Sequence, residues 1–428
     1  MGESLTMAAE STLRFGAQTD EVTSLLRIVN LVRTGEATTR PEIGRVTGLG
    51  RGVVTQRVDQ AIHIGYLAEG DFGASSGGRA PRTLRFCAEK GTIIVCALGA
   101  LHIRVGIADL DGAILDQAHQ DWEISRGPEE TIEAVMSMIG QLLGKQARPP
   151  VWGIVIGLPG PVDFHSGRPV APPIMPGWNG YDVRGPFEQH FNAPVWVDND
   201  SNLLALGERA RRRDAHADLI YVKIGSGIGA GLLSEGRIHR GANGAAGDIG
   251  HVRVPDSQAV CRCGKIGCLE AVAGGWALVR DAEQAIQEGA TGALASSSNK
   301  VGHLTLEKIA RAAEAGDPLA ISLIQKSAEV VGETIASLVN MFNPGVIVIG
   351  GAVASAGETF LAQVRHRVYE LSLPLATRDL SIVLSVNDAT EPLRGGAELA
   401  REQLFEATFP RWFAEGRPTP AVRTLAAS

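Results

Sequence analysis

Three cysteines fall within one short loop, Cys261-Arg262-Cys263-Gly264-Lys265-Ile266-Gly267-Cys268, and His251 precedes the first of them by ten positions. Three thiolates and an imidazole complete a tetrahedral shell with no position left for water. The set therefore predicts one structural Zn2+ per chain, held by His251, Cys261, Cys263 and Cys268, rather than a hydrolytic metal. The same crowding argues against a disulfide framework for the five cysteines of the chain. A second chemistry is legible near the start. Between Glu21 and Phe86 there are nine arginines and no lysine against six carboxylates, in a chain whose formal net charge is −7. A basic head on an acidic body is compatible with one DNA-facing module. Within it Arg51, Thr55, Gln56 and Arg57 are candidates to reach base edges, which the major groove presents as a distinct donor and acceptor pattern for each pair. Arg79 follows Gly77-Gly78 on a slim backbone suited to a narrow minor groove.

The elements that must carry the basic set can be read from apolar spacing. Residues 1–20 lack periodicity and are expected to form a flexible tail. Val22, Leu25, Leu26, Val29 and Val32 repeat at helical spacing until Gly35. A short helix is expected from Arg40 to Thr47, a turn at Gly48-Leu49-Gly50, and a third helix from Arg51 to about Ile64 that buries Val54, Val58 and Ile62. Three helices with a glycine turn before the last form a helix-turn-helix. Tyr66–Ala68 and Thr83–Phe86 read as strands around a Gly/Ser-rich tip, which makes a wing. Residues 21–88 are therefore expected to be a winged helix-turn-helix that binds operator DNA. The plainer alternative is an ordinary three-helix packing unit with solvated arginines.

From Gly91 the pattern changes to apolar strands that stop at polar or glycine-rich loops. Thr92–Leu98 and Ile103–Ala108 read as a hairpin, with Gly112–Leu115 as a third strand and Thr131–Gly144 as a helix. Val151–Ile156 ends at Gly157-Leu-Pro-Gly-Pro161, Pro194–Val197 at Asp198-Asn199-Asp200, and Leu219–Ile224 at the glycine-rich run Gly225–Gly231. Val346–Ile349 ends at Gly350-Gly351. Strands of this kind put working residues at strand ends, the ligand edge of an α/β sheet.

Gly247-Asp248-Ile249-Gly250-His251, followed by the cysteine loop and Glu270, resembles the ROK family of repressors and sugar kinases over about residues 91–405, and the head resembles the DNA-binding module of its repressor branch. The resemblance implies an α/β fold, with the winged helix-turn-helix followed by a two-lobed actin/hexokinase-like domain over 89–408, a structural zinc loop, and a C-terminal tail over 409–428. It places a sugar or sugar derivative between the lobes. Asn199 and Asp200 match the family's sugar-binding Asn and the Asp that acts as general base in its kinases. His251 and Glu270 match further sugar contacts. Asp248 stands where the family usually has Glu, and Asn179, beside Gly177-Trp178, matches a loop near the sugar.

Phosphoryl transfer is another matter. The first phosphate loop of the family's kinases reads Asp-x-Gly-Gly-Thr-Lys; here the stretch is Ala97-Leu98-Gly99-Ala100-Leu101-His102. Alanine cannot hold a Mg2+-bound water and leucine has no hydroxyl for phosphate, in a reaction that depends on positioning and charge neutralisation. The reading is thus a sugar-responsive transcriptional regulator, a repressor of carbohydrate metabolism, with no enzymatic activity. The alternatives are an active ATP-dependent sugar kinase with an appended DNA-binding domain, and a regulator that uses the body only to dimerise. A homodimer or homotetramer is expected from the resemblance. With no signal-peptide pattern and no apolar run long enough for a membrane, a cytoplasmic location is expected.

Overall fold

The computed structural model describes residues 21–72, 81–212, 218–298, 304–386 and 388–423. The head begins with α1 (21–33), followed by α2 (Arg40–Thr47) and α3 (Arg51–His63). Thr39 caps α2 through a reciprocal box: its side chain accepts from the Glu42 amide, while the Glu42 carboxylate accepts from the Thr38 and Thr39 amides at 2.9 and 3.1 Å. Gly48 ends α2 at φ 74°, a left-handed position that favours glycine and turns the chain into α3. Val54, Val58 and Ala61 bury one face of α3. The strands β1 (Leu67–Phe72) and β2 (Arg82–Phe86) pair antiparallel, and β2 is pinned to the start of α2 where the Leu84 amide donates to Thr38 O at 2.7 Å. Arg79, the flanking wing tip and residues 1–20 lie outside the described residues.

The body is two lobes built on one plan. β3 (Thr92–Leu98), β4 (His102–Ala108) and β5 (Ile114–Asp121) form an antiparallel meander. The third strand is longer than the sequence suggested, because Leu115 to Asp121 alternates toward solvent and carries little apolar signal. After α4 (Pro128–Gly144) come β6 (Val151–Leu158), a two-residue ribbon of β7 (Val162–Asp163) and β8 (Arg168–Pro169), α5 (Gly185–Phe191) and β9 (Val195–Asn199). The first sheet therefore runs β5-β4-β3-β6-β9. Directly from β9 springs α6 (Asp200–Arg212). The second lobe repeats the order with β10 (Leu219–Ile224), β11 (Ile228–Ser234) and β12 (Arg237–Ile238). A long excursion follows through α7 (Leu269–Ala273), α8 (Gly275–Gln287), α9 (Ala293–Ser298), α10 (Leu306–Glu314) and α11 (Pro318–Phe342). It returns as β13 (Val346–Gly350), α12 (Gly357–Leu371), α13 (Pro374–Thr377) and β14 (Ser381–Leu384), giving β12-β11-β10-β13-β14. β3 and β13 are buried at every residue, as strands covered on both faces must be.

One last helix, α14 (Glu391–Glu402), crosses α6 between the lobes. The two touch through backbone. A Cβ on Gly207 would lie 2.2 Å from Glu391 O, and one on Gly395 would lie 1.7 Å from Leu203 O. Beyond α14 the chain does not become a tail. Phe405, Phe409, Trp412 and Val422 are buried, so the expectation of a free segment from 409 is corrected for 409–423. The reason is aromatic packing: Tyr66 of the head sits among Trp152, Phe409 and Trp412, with ring centroids 6.0, 5.8 and 6.2 Å away. Head and body consequently share one continuous core.

Candidate functional site

A cavity of about 590 Å3 opens between the lobes. Asn199 and Asp200 reach it because β9 ends there and α6 begins without an intervening loop. Asp198, one residue earlier, is buried and holds the strand end in place. It accepts from the Asn199 amide at 2.8 Å and from the Asn202 side chain at 2.7 Å, and forms an ion pair with Arg240 at 2.6 Å. The Asn199 side chain is itself engaged, donating to Gly160 O at 3.0 Å and accepting from the Ser201 amide at 2.9 Å. Asp200 accepts from the Ser201 hydroxyl and pairs with Lys223 of β10.

Across the cleft lie Asp248, His251 and Glu270. Glu270 stands in the first turn of α7 and accepts from the Ile228 amide at 3.1 Å. Its carboxylate passes so close to Gly227 that a Cβ there would lie 2.1 Å from Oε2, which explains the glycine. The His251 ring faces two ways: Nδ1 lies 3.8 Å from Cys261 Sγ, and Nε2 lies 3.9 Å from Asp248 Oδ1. The sequence pattern thus assembles on five of the six expected sugar contacts. Asn179 is the exception. It is exposed and lies away from the cavity lining, and its Oδ1 accepts the Ala171 amide at 2.8 Å. Its side chain closes the 171–180 loop over buried Trp178, so its expected place in the sugar site is corrected.

Next to the cleft the four expected metal ligands come together. The ligand atoms of His251, Cys261, Cys263 and Cys268 lie within 4.8 Å of one another, and Cys263 and Cys268 Sγ are 3.7 Å apart. Zinc–sulfur bonds of about 2.3 Å in a tetrahedron separate sulfurs by about 3.8 Å. The donor set and spacing fit that ion. Short backbone pairings shape the knuckle: the Cys261 amide donates to Lys265 O at 2.8 Å, and Gly264 and Gly267 turn at φ 86° and 80°. Arg262, between two ligands, stacks 4.6 Å over the Trp276 ring, and both line the cavity.

The Ala97–His102 turn also lines the cavity. The His102 ring lies flat against Gly99, where a Cβ would be 2.4 Å from it, so imidazole fills the turn. Ala97 and Ala100 line the wall, and Leu101 is 65% exposed. Gly350 and Gly351 have a packing reason of their own: added Cβ atoms would lie 2.0 Å from the Tyr221 hydroxyl and 2.5 Å from Ile224 O. Several lining residues escaped the sequence reading. Lys223, Arg104, Trp276 and Glu391 belong to no motif, and only the topology brings β4, β10, α8 and α14 to one cavity.

In the head, Arg51, Thr55 and Gln56 are exposed together on α3. Arg57 is not with them. Its guanidinium turns back to pair with Glu21, and it donates to the Ser24 hydroxyl at 3.2 Å and the Gln60 side chain at 3.3 Å. Its side chain is only 13% exposed, so the expectation that Arg57 faces DNA is corrected: it ties α3 to α1.

Known proteins fall in line with this architecture. The xylose repressor of Caldicellulosiruptor bescii is 31% identical over 363 residues, covering 84% of this chain and 90% of that protein. A glucokinase of Halalkalibacterium halodurans is 32% identical but covers 72% of this chain while using 94% of its own length. A solved ROK family transcriptional regulator, a homolog of the Escherichia coli MLC protein, superposes with a TM-score of 0.78 at 26% identity, covering 91% of this chain and 97% of its own. Residues 94–403 match the ROK family, and this chain belongs to it.

Proposed function

We propose that the chain is a sugar-responsive transcriptional repressor that binds operator DNA through its head and a sugar or sugar derivative in the interlobe cleft, without phosphorylating it. The observation that carries this reading is the fusion itself: a three-helix head with Arg51, Thr55 and Gln56 exposed on its third helix shares a core with an interlobe cleft whose Ala97–His102 turn is packed by the His102 ring. The relatives support it, since the xylose repressor covers 84% of this chain while the glucokinase leaves about a quarter unmatched.

In this reading residues 21–88 act as a winged helix-turn-helix, with α3 in the major groove and Arg51, Thr55 and Gln56 at base edges or phosphates. Asn199, Asp200, Asp248, His251 and Glu270 bind sugar hydroxyls, and Asp200, the kinase base elsewhere, here accepts a hydrogen bond. The Cys3His set holds one structural zinc, which stiffens the loop preceding Glu270 and orients His251. A dimer or a tetramer would present paired heads to a pseudo-palindromic operator, and a repressor of this kind acts in the cytoplasm. No helix among the described residues is long and apolar enough to cross a membrane. An active kinase is the competing reading, favoured by Asp200 and the intact Gly225–Gly231 run.

One experiment separates them. Operator selection followed by binding measurements should yield a specific site whose affinity falls in Arg51→Ala and Gln56→Ala. A sugar panel with ATP should give no turnover. Transfer that disappears in Asp200→Asn would establish the kinase reading instead.

A further inference from the structure

The cleft has a wall that the sugar contacts leave unused. β4 turns His102 and Arg104 toward the cavity, because the alternate residues Ile103 and Val105 are buried in the core that includes α4. Arg104 is half-buried, and among the described residues no hydrogen bond or ion pair engages its guanidinium. Burial alone lowers its pKa from the ordinary value. An arginine stays charged in a protein, so a partly desolvated guanidinium without a partner costs stability until an anion meets it. Lys223 projects into the same cavity from β10 and pairs with Asp200. Both cations act on the His102 ring, whose pKa falls to about 4 through burial and then through Arg104 and Lys223, leaving it neutral at physiological pH.

Asp200 offsets Lys223, and no carboxylate among the described residues offsets Arg104. Asp388 is taken by Arg394 at 2.9 Å. Glu391 is pushed up to about 8 by burial and by Glu208, so it is largely protonated at neutral pH. Asp248, Glu270 and Glu307 also line the cavity, and none of them pairs with Arg104. Asp200 lies between the two regions: it is a sugar contact on one side and the partner of Lys223 on the other.

We propose that Arg104, Lys223 and His102 form an anion subsite, and that the effector is a sugar bearing an anionic group, a phosphate ester or a carboxylate, on the end that faces Asp200. This rests on the cleft being the effector site. The end of the cleft beside the Ala97–His102 turn then receives the ligand's own anion. Arg104 supplies a planar fork that fits phosphate or carboxylate oxygens, Lys223 bridges between the anion and Asp200, and neutral His102 donates or accepts one further hydrogen bond.

Calorimetric titration of the full-length protein tests it with xylose, glucose and N-acetylglucosamine, their phosphate esters, glucuronate, and inorganic phosphate alone. The expected result is that the anionic form of the preferred sugar binds at least about tenfold more tightly than the neutral parent, with inorganic phosphate far weaker than either. Arg104→Gln should erase the difference between the anionic and neutral forms, and Arg104→Lys should restore part of it. Phosphate ester against glucuronate identifies which anion is read. Equal affinity for neutral and anionic forms, a preference that survives Arg104→Gln, or inorganic phosphate binding as tightly as a sugar phosphate would each overturn the subsite. In the first two cases a neutral sugar that binds the wild type and fails to bind Asp200→Ala would leave the effector cleft standing. Absence of binding by every sugar, neutral or anionic, would remove both readings.

Discussion

A single imidazole links the proposed zinc knuckle to the interlobe cleft. His251 turns Nδ1 to the thiolates and Nε2 to Asp248, so a metal on Nδ1 fixes the proton on Nε2 and aims it into the cleft. Protein purified without a tag should therefore carry about one zinc per chain. Metal-free protein with all three knuckle thiols freely reactive would refute that. A second residue with consequences is Glu391, buried against Glu208, with Tyr221 and Ser385 hydroxyls donating to it at 3.0 Å each. Its pKa is pushed from 4.5 up to about 8, so the folded state holds its proton more tightly than the unfolded chain does. The stability this confers is complete below about pH 4.5 and is lost as pH rises through 8. His102 works the opposite way, its pKa lowered from 6.5 to about 4, so its share is lost as pH falls through that window. Glu208, with its pKa lowered by Arg211 and Arg212 against the cost of burial, matters only under acid conditions. Between pH 6.5 and 8 Glu391 acts without opposition from either. The melting temperature of wild type should fall across that interval relative to that of Glu391→Gln. Parallel slopes in the two proteins would show that Glu391 holds no shared proton.

Elements differ in how plainly the sequence announces them. Strands β3, β6, β10 and β13 were legible because buried strands are near-continuous apolar runs, and α3 because Val54 and Val58 repeat at helical spacing. The cysteine knuckle and five of the cleft's polar residues were legible because each sits at a strand end or in a compact motif. α14 was silent. It packs by absence of side chain, with Gly395, Gly396, Ala397 and Ala400 buried, and small residues give no apolar period. Arg57 and Asn179 misled for a related reason: a polar side chain in a suggestive place is equally a structural tie, and only contacts with Glu21 or Ala171 tell which. The segment 409–423 was misread because its few aromatics stand among polar and proline residues, yet they form the joint between head and body. Trp412 is fully buried against Tyr66, Trp152 and Phe409 and donates its indole N–H to Leu404 O at 3.2 Å. Trp412→Ala should cost about 3–5 kcal/mol of stability, since a large aromatic leaves a cavity that its neighbours refill only in part. Chemical denaturation measures it. A cost under about 1 kcal/mol would mean that the C-terminal segment is dispensable to the joint.

At the scale of the molecule α14 runs from one function to the other. Its first turn, Glu391 and Pro392, lines the effector cleft. Just past its last turn, Phe405 meets the head: the Asn30 side chain donates to Phe405 O at 3.4 Å, Arg33 lies 5.7 Å over the ring, and Phe86 packs edge-on at 5.4 Å. The backbone contact of α14 with α6 at Gly207 and Gly395 leaves little room for one helix to slide without the other, and α6 begins at Asp200 in the cleft. Closing the lobes on a ligand should therefore tilt α14 and shift the seat of the DNA-binding head. A ligand can move this balance only by its differential affinity for the two arrangements, so the coupling is a measurable free energy, of the order of 1–3 kcal/mol in comparable systems. The expected direction is release of DNA by the sugar. Asp200→Ala should bind operator like wild type but lose the response, because it removes a ligand contact and leaves the lever intact. Phe405→Ala should do the reverse of a cleft mutation, retaining sugar affinity while weakening the link between sugar and operator. The decisive measurement is operator affinity with and without the identified effector for wild type and both variants. If Asp200→Ala responds as wild type does, the effector is read elsewhere; if Phe405→Ala responds fully, the signal reaches the head by a route other than α14.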